Sequence, residues 1–137
     1  MRALEGLAPY AATLLALGAM AALLLVQLVV ADVAGIRAGH EPGSPVEPDH
    51  GSFLFRAVRA HANTNESLSA FVLLALFGLL SAASPGWLGL LAWLFVAARA
   101  AHMACYYANL KAPRSVAFAV GLLALLGMLA VGVGAWL

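Results

Sequence analysis

The stretch GLAPYAATLLALGAMAALLLVQLVVA, residues 6–31, runs for 26 residues without a charged side chain. At 1.5 Å per residue a helix of this length measures about 39 Å, and about 20 apolar residues are enough to cross a bilayer. The apolar core of a cleaved secretory signal is only about 7–15 residues long. The stretch therefore predicts a membrane-spanning helix that is retained in the protein.

Three further spans follow from the spacing of charges and helix breakers. Residues 67–98 are uncharged, but Ser84-Pro85-Gly86 interrupts them and predicts a hairpin. Lys111-Ala112-Pro113-Arg114 predicts the next break, and residues 115–137 are again free of charge. The sequence thus predicts an all-α, integral membrane four-helix bundle that forms one domain over residues 1–137. The helices are expected at about residues 7–34, 54–82, 87–110 and 114–136.

The composition agrees with this class of protein. Hydrophobic residues make up 64% of the chain and charged residues 9%, with a mean hydropathy of +0.97. A soluble domain carries about 25% charged residues. The net charge of +1 and the lack of a basic cluster indicate that nucleic acid is not a partner. Cys105 is the only cysteine, which excludes an intrachain disulfide, and we interpret it as an apolar helix residue rather than a catalytic thiol.

The first connection, about residues 36–53, is rich in proline and glycine and predicts a loop rather than a further domain. It contains His40, Glu41, Asp49 and His50. Their spacing matches no known pattern of metal ligands, and solvated loop residues account for them. We therefore predict no metal site.

The distribution of cations predicts the orientation in the membrane. Five of the seven Lys and Arg residues lie in or beside the first and third connections, whereas the second connection has none. Cytoplasmic loops carry an excess of Lys and Arg. The first and third connections are therefore expected in the cytoplasm, and both termini on the opposite side. The five cations are Arg37, Arg56, Arg59, Lys111 and Arg114.

Two polar sets interrupt the apolar helices. At 100° per residue, the set on the second helix occupies an arc of about 80°, and the set on the third an arc of about 60°. The sets are Arg56, Arg59, Asn63 and Glu66, and Arg99, His102 and Tyr106. Three explanations remain open from the spacing: structural pairing between helices, for example Glu66 with Arg99; a ligand site; or a path for ions or protons. The excess of cations favours an anionic ligand.

The two sets lie in strings that carry a family resemblance. RAVRAHANTNES (residues 56–67) resembles the Arg-x-x-Arg-Ala-His-x-Asn-x-x-Glu signature of the MAPEG family, the membrane-associated proteins in eicosanoid and glutathione metabolism. ARAAHMACYYANLKAPRSVAF (residues 98–118) is similar to the same family's Arg-x-x-His-x-x-x-Tyr segment with its following Arg-Ser pair. The motifs resemble most the microsomal prostaglandin E synthase and glutathione transferase types. The chain is expected to be a bacterial member.

The resemblance implies a homotrimer that binds glutathione between neighbouring subunits and receives a lipophilic substrate from the bilayer. It implies a thiolate-stabilising role for Arg114, with Ser115 beside it, and structural roles for Arg56 and Arg99. The implied glutathione contacts are Arg37, Arg59, Asn63, Glu66, His102 and Tyr106.

The chemistry of these residue types suits that ligand. Arginine can hold a carboxylate by two parallel hydrogen bonds, and Glu66 can receive the ammonium group of glutathione. A cation beside the sulfur favours the thiolate, which is the nucleophilic form. We therefore expect a glutathione-dependent membrane transferase with peroxidase activity as a further activity. The alternative is a non-catalytic lipid-binding or scaffold protein of the same fold. The high content of Ala, Leu and Gly suits a bacterial inner membrane.

Overall fold

Four long helices make up most of the protein in a computed structural model that describes residues 5–137. A short 3₁₀ turn, Ala8–Tyr10, leads into the first helix. The helices are α1, Ala11–Arg37; α2, Phe53–Leu80; α3, Pro85–Tyr107; and α4, Lys111–Gly134. No strand occurs among the described residues, and each of the four helices is long and apolar enough to cross a membrane. The predicted all-α, multi-pass membrane fold is confirmed.

The helix boundaries follow local chemistry. Ser52 caps α2, because its side chain accepts a hydrogen bond from the Phe55 amide at 3.4 Å. Pro85 occupies the first turn of α3, where a missing N–H leaves no hydrogen bond unmade. The second connection is short and includes Ala82 in a left-handed conformation, with φ of 50°.

The third connection differs from the prediction. We expected the break at residues 111–114, whereas the structure has it at residues 108–110, and α4 already begins at Lys111. Asn109 adopts a φ of 57°, a left-handed conformation that ends α3 and that asparagine tolerates better than most residues. Pro113 lies in the first turn of α4, where the first four amides have no partner inside the helix. The proline therefore does not stop this helix.

The apolar core fills the half of the bundle nearer the second connection. Phe71 of α2 and Phe95 of α3 stack with ring centroids 4.7 Å apart, and Met20 and Met128 are buried beside this cluster. At the end of the bundle, the Tyr10 hydroxyl donates a buried hydrogen bond of 2.8 Å to the Ala83 carbonyl. This contact holds the start of α1 against the second connection. The buried side chains of Arg99 and His102 lie in the opposite half.

The outer surface is strongly apolar. Every helix carries large apolar side chains that are 61–65% exposed. They are Leu15 and Leu25 of α1, Leu73 of α2, Trp87 of α3 and Leu123 of α4. Soluble monomers rarely expose contiguous apolar surface on this scale. The acyl chains of lipids are the solvent that suits such a surface, in agreement with the membrane-spanning assignment.

Candidate functional site

The predicted polar residues of α2, α3 and α4 all lie in the half of the bundle that ends at the first and third connections. α2 begins at that end and α3 finishes there, so their polar stripes run side by side in opposite directions. α4 starts at the same end with Arg114 in its first turns. The bundle therefore brings three separate sequence segments to one region.

Arg99 is the most deeply placed member of the site, with only 2% of its surface exposed. Its Nη1 donates to Asn63 Oδ1 at 3.1 Å, to the Asn63 carbonyl at 3.4 Å and to Ser67 Oγ at 3.4 Å. Its guanidinium carbon lies 5.6 Å from the ring centroid of Phe118 and 5.9 Å from that of Phe95. These contacts tie α3 to α2 and α4.

Glu66 does not form the ion pair with Arg99 that the structural explanation of the stripes suggested. Within residues 5–137 its ionic contact is with Arg59 on the same helix, at 3.7 Å between Nη1 and Oε1. The two side chains are 39% and 62% exposed. The hypothesis that these helices are held together by a Glu66–Arg99 pair is therefore wrong for a single chain, because the amide of Asn63 takes the place of the carboxylate.

An aromatic column connects His102 to Arg114. The His102 and Tyr106 rings meet edge to face at 5.1 Å, and both side chains are buried. The guanidinium carbon of Arg114 lies 4.3 Å from the Tyr106 ring centroid, a close cation–π contact. Arg114 Nη1 and His102 Nδ1 are buried without a hydrogen-bond partner among the described residues. The column thus holds a cation at the start of α4, with two buried nitrogens that have no hydrogen-bond partner among residues 5–137.

Ser115 and Arg56 each donate to backbone carbonyls that are close to them along the chain. Ser115 is exposed, and its Oγ donates to the Lys111 carbonyl at 3.3 Å. Arg56 donates through Nη1 to the carbonyls of His50 and Gly51 at 2.6 and 2.9 Å, which ties the first connection to α2.

Arg37 is exposed at the end of α1 and lines an open groove of about 530 Å³ between α1 and the start of α2. Its side chain forms no hydrogen bond or ion pair with any of residues 5–137. Arg37 is the one predicted glutathione contact on α1, and no hydrogen bond or ion pair within residues 5–137 joins its side chain to the column on α3 and α4.

Sequence reasoning missed several polar groups. Ser67 contacts Arg99 and lies four residues after Asn63, so the arc of the α2 stripe was a usable signal. Gln27 and Thr64 are fully buried, and their side-chain polar atoms have no partner in the described part of the chain. Gln27 stands out as the single amide in the 26-residue apolar run. Nothing in the sequence pointed to Phe118 as a neighbour of Arg99.

No group of three or more His, Cys, Asp or Glu side chains that could hold a metal ion occurs within residues 5–137.

Fold and site together define a multi-pass membrane protein with a cationic site between its helices. Comparison with known families gives a more particular assignment. The sequence profile of the MAPEG family matches residues 4–134, nearly the whole chain, and the protein belongs to this family. Its members include glutathione transferases and related enzymes. Comparisons with curated proteins and with solved structures gave no match.

Proposed function

We propose that this protein is a glutathione-dependent membrane transferase that activates the glutathione thiol for attack on lipophilic substrates. The observation that carries the proposal is the position of Arg114, which is held against Tyr106 at the start of α4 and whose Nη1 has no hydrogen-bond partner among residues 5–137. A cation at a helix N-terminus stabilises an anion such as a thiolate, because both the side chain and the helix dipole are positive there. Membership of the MAPEG family supports this choice of ligand.

The α2 stripe suits the ends of glutathione. Arg59 and Glu66 are exposed and only loosely paired at 3.7 Å, so a ligand can replace each partner with little loss. Arg59 would then hold a carboxylate and Glu66 the ammonium group. Asn63 offers its amide N–H groups, since its Oδ1 already accepts from Arg99. His102 and Tyr106 would contribute ring nitrogen and hydroxyl to the same ligand.

A homotrimer is proposed because the site is incomplete in one chain. Glu66 lies 13 residues into α2, about 20 Å from its start and so near the middle of a hydrocarbon core of about 30 Å. A side chain with 62% exposure at that depth would face lipid unless another subunit covers it. Arg37, at the C-terminal end of α1, would then reach the ligand of the neighbouring subunit.

The proposed reaction uses the thiolate as nucleophile. Its sulfur forms a bond to an electrophilic carbon of the substrate while the leaving group departs with the bonding electrons. With a lipid hydroperoxide, two glutathiones would be oxidised to the disulfide, and the hydroperoxide would be reduced to an alcohol and water. Ser115 would donate a hydrogen bond to the sulfur after its Oγ leaves the Lys111 carbonyl. The substrate would reach the sulfur from the bilayer.

The proposed location is a bacterial inner membrane with the first and third connections in the cytoplasm, where glutathione is available. Five of the seven Lys and Arg residues lie on the helix ends beside these two connections, as expected for the cytoplasmic side. The proposed site then opens to the cytoplasm at the start of α2 and the end of α3.

A non-catalytic lipid-binding or scaffold role is the second candidate. The groove of about 530 Å³ beside Arg37 favours it, because its walls include Val29, Val30, Val33 and Leu54. A lipid tail would fit such walls, and the column of α3 and α4 would then be a vestige.

Arg114→Ala tests the proposal. We expect glutathione to stay bound while the absorbance of the bound thiolate near 240 nm falls. Conjugation of 1-chloro-2,4-dinitrobenzene at neutral pH should slow by about 10- to 1000-fold, equivalent to about 1.4–4 kcal/mol of lost electrostatic stabilisation. The rate should recover partly at high pH, where thiolate forms without help.

Lys111→Ala is the matched control, because it removes an exposed cation less than one turn away. It should leave both signals unchanged. Undiminished thiolate and turnover in Arg114→Ala would remove Arg114 from the mechanism. If calorimetry with the wild-type protein detects no glutathione binding, the lipid-binding candidate replaces the transferase.

A further inference from the structure

A cleft of about 450 Å³ lies among the last turns of α1, the first turns of α2 and residues 40–46 of the first connection. We call it the Asp32 cleft, because Asp32 is the only Asp, Glu, Lys or Arg of residues 5–137 in its walls. Most of the other lining residues are apolar, among them Ile36, Val46 and Val58. The cleft differs from the groove beside Arg37, with which it shares only Leu54.

The carboxylate of Asp32 has no counter-ion among residues 5–137. The residue is exposed and forms no ion pair there. The other titratable residue of the walls, His40, bonds within the first connection, since its Nε2 donates to the Ser44 carbonyl at 3.0 Å. The cleft therefore combines apolar walls with one negative charge that no cation of the described chain neutralises.

The depth of Asp32 matches the border between acyl chains and head groups. α1 has 27 residues and is about 40 Å long, whereas the hydrocarbon core is about 30 Å thick. A centred α1 would extend about 5 Å beyond the core at each end. Asp32 lies five residues, or about 7.5 Å, before the end of the helix at Arg37. A carboxylate at this border is within reach of a lipid head group.

A second cleft, of about 280 Å³, lies deeper between the same two helices. Every residue that lines it is apolar, including Ala21 and Leu24 of α1 and Leu68 of α2. Leu24 and Ala21 are about 12 and 17 Å from Asp32 along the helix axis. One leaflet of the hydrocarbon core is about 15 Å thick, so this cleft lies at the depth that an acyl chain reaches.

The two clefts lie on the same side of the helix pair. At 100° per residue, Leu24 of the second cleft and Asp32 and Gly35 of the first fall within an arc of about 80° on α1. On α2, Leu54 of the first cleft and Leu68 of the second are about 40° apart. One elongated molecule can therefore occupy both clefts.

We propose that the two clefts bind one phospholipid with a primary ammonium head group, such as phosphatidylethanolamine. The ammonium group donates a charge-assisted hydrogen bond to Asp32, and one acyl chain lies along α1 and α2 into the second cleft. This binding does not require glutathione.

The charge and the walls of the Asp32 cleft select this head group over others. A choline group has no N–H donor, and no Phe, Tyr or Trp of residues 5–137 lines the cleft to bind it by a cation–π contact. An anionic head group without an amine would meet the Asp32 carboxylate with no Lys or Arg beside it in the walls.

The test is native mass spectrometry of the delipidated protein in detergent, titrated with phospholipids that differ only in their head groups. The wild type should bind phosphatidylethanolamine about 3- to 10-fold more tightly than phosphatidylcholine, between the effects of an exposed ion pair and a buried charge-assisted hydrogen bond. Asp32→Asn keeps the shape of the side chain but removes its charge, and should abolish this preference. Glu47→Gln, the matched control, removes an exposed carboxylate of the first connection that lines neither cleft, and should keep it.

Two measurements on the wild type need no variant. Successive methylation of the ethanolamine nitrogen should weaken binding step by step, because each methyl group removes an N–H donor. Phosphatidylethanolamine with a photoreactive diazirine near the end of one acyl chain should cross-link to residues 17–24 or 68–72.

Equal binding of phosphatidylethanolamine and phosphatidylcholine by the wild type would overturn the proposal, as would tighter binding of phosphatidylglycerol. A preference that persists in Asp32→Asn, or cross-links confined to other helices, would also overturn it. If the wild type shows no preference and Asp32→Asn dissociates the subunits, Asp32 pairs with a neighbouring subunit and the proposal is wrong.

Discussion

The contact between Arg114 and Tyr106 makes a quantitative prediction about how the proposed thiolate site is held together. Tyr106 is 7% exposed, and its ring lies 4.3 Å from the guanidinium carbon. Tyr106→Leu removes the ring but keeps an apolar side chain in the space. A cation–π contact contributes about 0.5–1 kcal/mol at an exposed site and about 2 kcal/mol when desolvated. Because Arg114 is half-buried, we expect Tyr106→Leu to remove about 1 kcal/mol of the interaction energy that holds the Arg114 charge in position.

A loss of this size corresponds to about a fivefold slower reaction, with about 30-fold as the upper bound for a fully desolvated pair. The assay is stopped-flow conjugation of 1-chloro-2,4-dinitrobenzene at saturating glutathione, with thiolate absorbance near 240 nm as a second signal. Both should fall together in Tyr106→Leu, because a displaced Arg114 stabilises less thiolate. The variant also loses the ring contact between Tyr106 and His102, and thermal unfolding checks that this loss has not destabilised the fold.

Tyr106→Phe separates the ring from the hydroxyl. It keeps the surface under Arg114 and should retain the thiolate signal and the maximal rate, while glutathione binding weakens through loss of the hydroxyl contact. The reasoning fails if Tyr106→Leu keeps full thiolate and rate. It fails equally if the Phe variant loses as much rate as the Leu variant, because the hydroxyl and not the ring would then matter.

Three further substitutions and one control test binding and packing. Glu66→Gln should weaken glutathione binding by about 1–3 kcal/mol in calorimetry, through loss of a charge-assisted contact, while mass measurement in detergent still finds the trimer. Gly78→Ala should destabilise the protein by about 1–3 kcal/mol in thermal unfolding, because its Cβ would lie 2.7 Å from two carbons of the buried Leu88. The control, Gly18→Ala, should not destabilise it, because a Cβ there meets no atom of residues 5–137 within 4 Å. Tyr10→Phe should lower stability by about 1 kcal/mol in the same assay, since the carbonyl that accepts its hydroxyl loses a buried hydrogen bond.

The number of helices and the location of the polar stripes could be predicted from the sequence. A charge-free run of 26 residues and the Ser84-Pro85-Gly86 break depend only on local composition. The stripe on α2 follows from the fixed rotation of 100° per residue, which places Arg59, Asn63 and Glu66 on one side whatever the helix packs against. The family was also recognisable, because its motifs are short strings of residues at fixed spacing.

Other features required the tertiary structure. The end of α3 depends on the left-handed conformation of Asn109, and without it Pro113 looked like the break itself. Arg99 takes the amide of Asn63 rather than the carboxylate of Glu66, although both belong to the predicted stripe. An arc on a helix says which residues share a face but not how far the neighbouring helix is shifted along it.

The sequence by itself therefore determined a four-helix membrane protein of the MAPEG family with polar stripes on its second and third helices. Only the tertiary structure decided that Arg114 lies over the Tyr106 ring and that Arg99 donates to the amide oxygen of Asn63. The physical reason is one of range. Backbone hydrogen bonds between residues a few positions apart form a helix and fix which residues share a face. The partners of a side chain depend on how neighbouring helices are shifted and rotated relative to one another, which the packing of the whole core determines.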